Sequence, residues 1–310
     1  MRYVIRRVLY AVFVVWAAYT ITWLLLFYLP GNSASMIISG AGADVDQTLL
    51  ASLEARYGLD RPAYEQYFGL LWQTVTGDLG TSITLGVPVA VVVGGALPHT
   101  LALGGLALAF SVVLGLGIAL LANTARATWL RNILFSLPSV FLSFPVFLTG
   151  LILIQVFAFN LHLLPAVGND GFRALILPAL TSGIPASAAI AQVTAKSLYE
   201  YTHGPQATFL TARGVGRGRI VYAHGLRNAV IPAATIIGMS VGGILAGAVI
   251  TETVFSRQGL GRVLQAGVVS QDVPVVQGVV IISALLFALA NLAVDLFYPR
   301  IDPRIRLGIA

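Results

Sequence analysis

Residues 196–232 read KSLYEYTHGPQATFLTARGVGRGRIVYAHGLRNAVIP, a polar island set between two long apolar runs. It holds Lys196, Arg213, Arg217, Arg219 and Arg227 with His203 and His224, against one acid, Glu200. Lysine and arginine collect on the side of a membrane that they need not cross, so an island this basic in a chain this apolar reads as a cytoplasmic loop. The surrounding chain supports a membrane setting. Its 310 residues are 57% hydrophobic and only 10% charged, with a mean hydropathy of +0.88, more apolar side chain than a water-soluble core can use.

The rest of the chain follows outward from the island. Residues 8–29, VLYAVFVVWAAYTITWLLLFYL, form an apolar run behind Arg2, Arg6 and Arg7. As a helix it is about 33 Å long, enough to cross a bilayer. Cleavage as a signal peptide competes, because small residues follow at Ser33 and Ser35; the run is too long for a typical signal core, and it is expected to stay as an uncleaved first span. Five more spans are expected near 97–122, 132–158, 175–196, 228–251 and 276–297. Pro138 and Pro145 in the third should kink it, because proline removes a backbone donor. Gly238 with Gly242, and Gly243 with Gly247, repeat at spacing four in the fifth and favour close packing on another span or another subunit.

Residues 30–95 carry a concentration of acids, Asp44, Asp46, Glu54, Asp60, Glu65 and Asp78. Asp46 can cap a helix over QTLLASLEARYG, and Pro62 opens a second, PAYEQYFGLLWQTV, with Tyr64, Tyr67, Phe68, Leu71 and Trp72 at helical spacing. This apolar face suits a membrane surface, a partner or an ordinary folded loop. The expected fold is an all-α polytopic membrane protein with six transmembrane helices and a sizeable folded extracytoplasmic loop between the first two. Its parts are 1–29 (N-terminus and first span), 30–95 (outer loop), 96–300 (membrane core with the cytoplasmic loop 197–227) and 301–310 (cytoplasmic tail).

The charges test this topology. With six spans both termini lie inside, together with Arg2, Arg6, Arg7, Arg126, Arg131, Lys196, Arg213, Arg217, Arg219, Arg227, Arg300, Arg304 and Arg306. Only Arg56, Arg61, Arg173, Arg257 and Arg262 fall outside. Among the acids the bias reverses, with Glu200, Asp295 and Asp302 alone on the inner side. The net charge of +6 is thereby explained by orientation rather than by nucleic acid.

The chemistry available is limited. There is no cysteine, so no disulfide, thiolate metal site or thiol catalysis, and His99, His162, His203 and His224 lack metal-ligand spacing. No phosphate-binding G-x-x-x-x-G-K-[ST] occurs; Lys196 is the sole lysine and does not follow a glycine. No H-E-x-x-H, G-x-S-x-G or intramembrane carboxylate pair supports hydrolysis. The span cores carry essentially no ionisable group, Glu252 and Asp295 standing at span ends, where a structural role is the simpler reading. This argues against an ion-coupled secondary transporter. A transporter with neither ATPase nor ion coupling must take its energy from a partner, and the island is where one could dock; a channel or scaffold would need none.

Several stretches then become specific: RRVL at the start, LPGNSA after the first span, YGLDRPAYEQYFGLLWQTVTGDLGTS, LHLLPAVG, FLTARGVGRGRIVYAHGLRNAVIP, ITETVFSRQGLGRVL and IDPRIR. In their order and near-complete coverage they resemble the inner-membrane permeases of ABC importers for dipeptides and oligopeptides, of the first-permease type. The resemblance implies a bacterial inner-membrane protein with no catalytic residue and no cofactor of its own, ATP and magnesium being held by two cytoplasmic ATPase domains. It also implies a second homologous permease, an extracytoplasmic solute-binding protein and a lipid bilayer as partners, with no nucleic acid. Glutathione and nickel-complex importers share the pattern. Carried onto this chain, the coupling loop places Ala207, Thr211, Ala212, Arg213, Gly214, Gly216, His224 and Arg227 against the ATPase, the small residues in a cleft and the arginines at its acidic rim. Arg217 and Arg219 read as positive-inside charges alone. The chain departs from the family in a shorter, glycine-richer GVGRGR link, in Gln258 where a proline is usual, and in Gly214-Val215 where Ala-Lys is usual.

Overall fold

The computed structural model describes residues 2–28, 62–169 and 171–301, and every named element among them is helical. The helix expected from Asp46, the LPGNSA and IDPRIR stretches, and Arg56, Arg61, Arg304 and Arg306 lie outside the described residues. The helices are α1 (Arg2–Tyr28), α2 (Ala63–Val75), α3 (Val89–Thr124), α4 (Thr128–Ser143), α5 (Val146–Asn160), α6 (Arg173–Thr202), α7 (Pro205–Ala212), α8 (Arg217–Val254), α9 (Leu260–Val269) and α10 (Val273–Ile301). Five are long and apolar enough to cross a membrane, and α4 with α5 makes a sixth if the bent pair counts as one span.

That pair corrects the expectation of one kinked span over 132–158. Pro138 sits inside α4 without ending it, whereas the chain turns by 105° between α4 and α5. The cause is local. A residue before proline is driven out of the helical region, and Phe144 is extended (φ −93°, ψ 130°), as is Pro145 (φ −58°, ψ 142°). Other boundaries also move. Helix α3 begins at Val89, inside the expected outer loop, so Pro98 lies in its interior, and α8 begins at Arg217 rather than near residue 228.

The chain divides into two compact units. The first comprises Met1–His99 with Gln258–Ala288. Its core joins Val89, Val93 and Ala96 of α3 to Leu260 of α9 and Val275 and Val279 of α10. Buried Asp272 organises the loop before α3. Its carboxylate accepts from the Ser82 hydroxyl and the Ile83 and Thr84 amides, and also from the Val275 amide, which makes it the N-cap of α10. In the same unit Tyr19 of α1 donates to the Tyr67 carbonyl of α2 at 2.7 Å, and Thr20 meets the Tyr67 hydroxyl at 2.8 Å.

The second unit, Thr100–Arg257 with Leu289–Ala310, is built on α6. Two-thirds of the membrane stretch of α6 is buried, 67%, because Gly183, Ser187 and neighbouring alanines let other helices approach. A Cβ on Gly183 would stand 2.9 Å from the Ala107 carbonyl, and one on Gly115 of α3 2.8 Å from Ile190 and the Ser187 carbonyl. The hydroxyls of Ser182 and Thr251 tie α6 to α8 at 2.9 Å. Glu252, fully buried at the end of α8, accepts from the Thr100 hydroxyl at 2.7 Å. Just beyond α8, Arg257 is buried and donates to the carbonyls of Gly168 and Ala174. Burial lowers the Arg257 pKa from its ordinary value, and the charge of Glu252 opposes that shift.

The four glycines expected to pack α8 divide. Gly238 and Gly242 are buried, and a Cβ on Gly238 would strike Val294 of α10. A Cβ on Gly243 or Gly247 meets nothing within 4 Å. These two therefore leave room for a side chain where Gly238 does not.

Candidate functional site

The basic island folds as the last turns of α6, the short helix α7, a four-residue link and the first turns of α8. All of it lies in the second unit. Its base is held by a cluster of Ala119, Ala195, Leu198, Val221 and Ala229, with Phe135 and Leu226 against it. Asn123 of α3 bridges the carbonyls of Ala119 and Ala195, at 2.9 and 3.2 Å. This apolar floor and its amide tie hold the end of α6 and the start of α8, the two segments that α7 joins.

Helix α7 is short because both ends are specified. At the start Gly204 is extended and precedes Pro205 at the first helical position, where the missing N–H has no helical partner in any case. The turn from α6 is tight: a Cβ on Gly204 would stand 2.9 Å from the Glu200 carbonyl. At the other end Gly214 takes φ +78°. Its N–H reaches the Thr211 carbonyl at 2.9 Å and the Val215 N–H reaches the Leu210 carbonyl at 3.0 Å, the paired bonds of a Schellman cap. Glycine is the residue that adopts this left-handed conformation without steric cost. The departure from the family's usual Ala-Lys at 214–215 therefore has a structural meaning: this chain stops α7 with a rigid glycine cap.

The residues expected to meet a partner separate into two groups. Thr211, Ala212, Arg213, Gly214, Gly216 and Arg227 are exposed. Ala207 is buried against its own chain, where its small size lets α7 sit close. His224 is half-buried and lines an open cleft with Tyr201, Pro205, Gln206, Phe209 and Leu210. The glycine-rich GVGRGR stretch is helical in its second half. Arg217 and Arg219 belong to a helix that continues through a π-helical turn, Ile220–Gly225, into the membrane segment of α8. The turn fits there because a Cβ on Gly225 would press on Leu198 of α6 at 3.2 Å.

Sequence reasoning passed over Phe209. It is 61% exposed beside Ala212, and the Arg213 guanidinium lies over its ring at 5.5 Å. Their spacing of four on a helix that ends in a glycine cap was the available signal. Tyr199 and His203, stacked at 4.1 Å, and exposed Tyr222 add aromatic surface nearby. The Lys196–Glu200 ion pair is exposed, with 3.9 Å between its charged atoms, and such pairs contribute little. No group of metal-binding side chains occurs among the described residues. The site offers a firm apolar and cationic knob suited to a protein cleft.

Residues 111–307 match the family of binding-protein-dependent transport system inner membrane components, and residues 1–103 match the N-terminal component of the same systems. The chain belongs to this family. It is 34% identical over 306 residues to the glutathione transport system permease protein GsiC of Escherichia coli K12, and equally to that of Shigella dysenteriae serotype 1. Each alignment spans 99% of this chain and 99% of the relative. As a permease of binding-protein-dependent transport, the chain is a multi-pass membrane component of an ABC importer, with the five long apolar helices and the bent pair α4–α5 as its candidate spans.

Proposed function

We propose that this permease forms half of a translocation pathway for short peptides, completed by a second, homologous permease and driven by two cytoplasmic ATPase domains. The observation that carries the reading is α7: an eight-residue helix, capped by a glycine at its end and joined to two packed helices, that presents Phe209, Ala212 and Arg213 outward. A rigid knob transmits a displacement where a loose loop would absorb it. ATP binding draws the ATPase domains together, the coupling helices follow, and the pore turns toward the outside; hydrolysis returns it. An extracytoplasmic solute-binding protein delivers the cargo. ATP and magnesium are held by the partners and no group in this chain reacts. The bias of arginines sets both termini on the cytoplasmic side of the bacterial inner membrane.

Among peptides, the likeness to glutathione permeases favours glutathione, a modified tripeptide, as one cargo to try first. The complex is reconstituted in liposomes with its binding protein and offered dipeptides, longer peptides, glutathione and a nickel chelate in turn. The ligand that stimulates ATP hydrolysis and enters the vesicles is the cargo. Stimulation by the nickel chelate alone would overturn the peptide reading, and uptake driven by an ion gradient without ATP would overturn the importer reading.

A further inference from the structure

Helix α4 exposes a polar row. Asn132, Ser136, Ser139 and Ser143 are all exposed and follow one another at steps of four, three and four. At about 100° per residue they share a sector of roughly 60° on the helix, and Pro138, the buried residue of α4, lies well round from them. The other long apolar helices offer no comparable face. Among the described residues, the exposed positions of 11–26 in α1, Val89–Thr124 in α3, 229–251 in α8 and Val273–Val294 in α10 are all apolar or glycine. On α5 the exposed Gln155 amide donates to Asn160 at the end of the same helix.

Contacts with α6 give the row a direction. Phe135 meets the Tyr199 ring edge-on, with centroids 6.2 Å apart, the Gln192 amide reaches the Ser139 hydroxyl at 3.4 Å, and a Cβ on Gly150 of α5 would stand 3.2 Å from Thr181. Helices α4 and α5 therefore follow α6 in the opposite sense. The row climbs from the charged end of α6, at Lys196 and Glu200, into residues 174–195, which hold no charge. Gln192 is the one exposed residue of that stretch, and its amide turns to the row.

Serine alone would be tolerable against lipid, because its hydroxyl can donate to the carbonyl one turn back, as those of Ser136 and Ser143 do at 2.9 and 2.8 Å. A primary amide is different: it brings two donors and an acceptor, more than its own helix can take up. Asn132 and Gln192 beside three hydroxyls suit water. A permease that moves a polar solute needs such a face within its spans, and elsewhere the exposed span surfaces are apolar.

We infer that Asn132, Ser136, Ser139 and Ser143 of α4, with Gln192 of α6, line the water-filled inner part of the translocation pathway. The lining is hydrogen-bonding and uncharged. It meets the amides of a zwitterionic peptide through weak, exchangeable contacts and captures neither of its charges, so the cargo can leave. The cargo class rests on the peptide reading above, and the word inner on the orientation proposed there; the wet face rests on neither.

The chain has no cysteine, so single cysteines report cleanly. Ser139→Cys, Ser143→Cys and Gln192→Cys, with Val113→Cys at an exposed apolar position of α3 as control, are placed in the full complex, cysteines of the other subunits replaced, and reconstituted in liposomes with reagent on both sides. A charged, water-soluble methanethiosulfonate should modify positions 139, 143 and 192 on the order of tenfold faster than 113, because the reactive thiolate is suppressed in apolar surroundings. Rates as slow as at 113, with a lipid-soluble maleimide reacting readily, put the row in lipid and overturn the inference. Slow reaction with both reagents also overturns it, since another subunit then covers the row. During ATP-driven uptake the cargo should slow modification at 139 and 143; unchanged rates while cargo enters would overturn the assignment to the pathway. If no peptide enters and the row still reacts with the charged reagent, the peptide reading fails while the wet face stands.

Discussion

Helices α2 and α7 are both short and both carry exposed aromatic residues; Tyr67 ties the first to α1 by hydrogen bonds, and Ala207 is the buried residue of the second. They differ in their ends and in their charge. Helix α7 stops in a Schellman cap and sets Arg213 over Phe209, whereas α2 has no side-chain cap, no cation and a continuous apolar stripe. A surface that must push on another protein needs a fixed end and groups that pair with acids at a rim. The same local ingredient, an exposed aromatic on a short helix, thus stands in two different settings, one beside a cation and a fixed end, the other in an uncharged apolar stripe.

The sharpest break in this comparison comes at Ala212. Ala212→Glu places a bulky acid on the exposed face of α7 and should reduce ATP-driven uptake to background while membrane insertion stays normal; uptake at the wild-type rate would show that α7 is not the docking surface. Gly214→Ala asks whether the cap matters. It forces a side chain into the left-handed region at a cost of about 1 kcal/mol, so partial loss of ligand-stimulated ATP hydrolysis is expected, with assembly retained. An unchanged rate would mean that α7 needs no rigid end. Tyr19→Phe removes the hydrogen bond that seats α2 and should lower the melting temperature of the complex by the equivalent of about 1 kcal/mol, without altering coupling. An effect on ATP hydrolysis at constant stability would contradict the division of labour between the two helices. Arg217→Ala with Arg219→Ala should change stability by less than about 0.5 kcal/mol and leave the ATPase bound, because both side chains are exposed and neither is part of α7. Loss of the ATPase on co-purification would extend the docking surface into α8.

Much of the fold was legible because membrane spans are written in composition. The first, second, fourth, fifth and sixth expected spans each fall within an observed helix, apart from Leu29 at the end of the first, which lies outside the described residues; the helix opened by Pro62 also forms as read. The misplaced features share a physical origin. Hydropathy reports which residues prefer lipid to water and is silent about backbone geometry, so Phe144-Pro145 read as a kink where the chain turns by 105°. It also missed that the polar Arg217–Gly225 segment is helical, since its amides are satisfied within the helix whatever the side chains prefer. Of the residues that the resemblance implies for coupling, Thr211, Ala212 and Arg213 are exposed and Ala207 is buried, a difference in burial that the motif does not carry, and Phe209 is exposed beside them.

By itself the sequence determined that this is a helical membrane protein, since that follows from residue type: the long apolar runs and the scarcity of charge within them. Which spans form the interior only the tertiary structure decided. Helix α6 is less apolar than α1, yet 67% of its membrane stretch is buried against 6% for α1. In lipid no hydrophobic gain separates inside from outside, so small residues that allow close approach choose the interior. Whether a given glycine finds a neighbour, as Gly183 does and Gly243 does not, depends on residues far away in the chain.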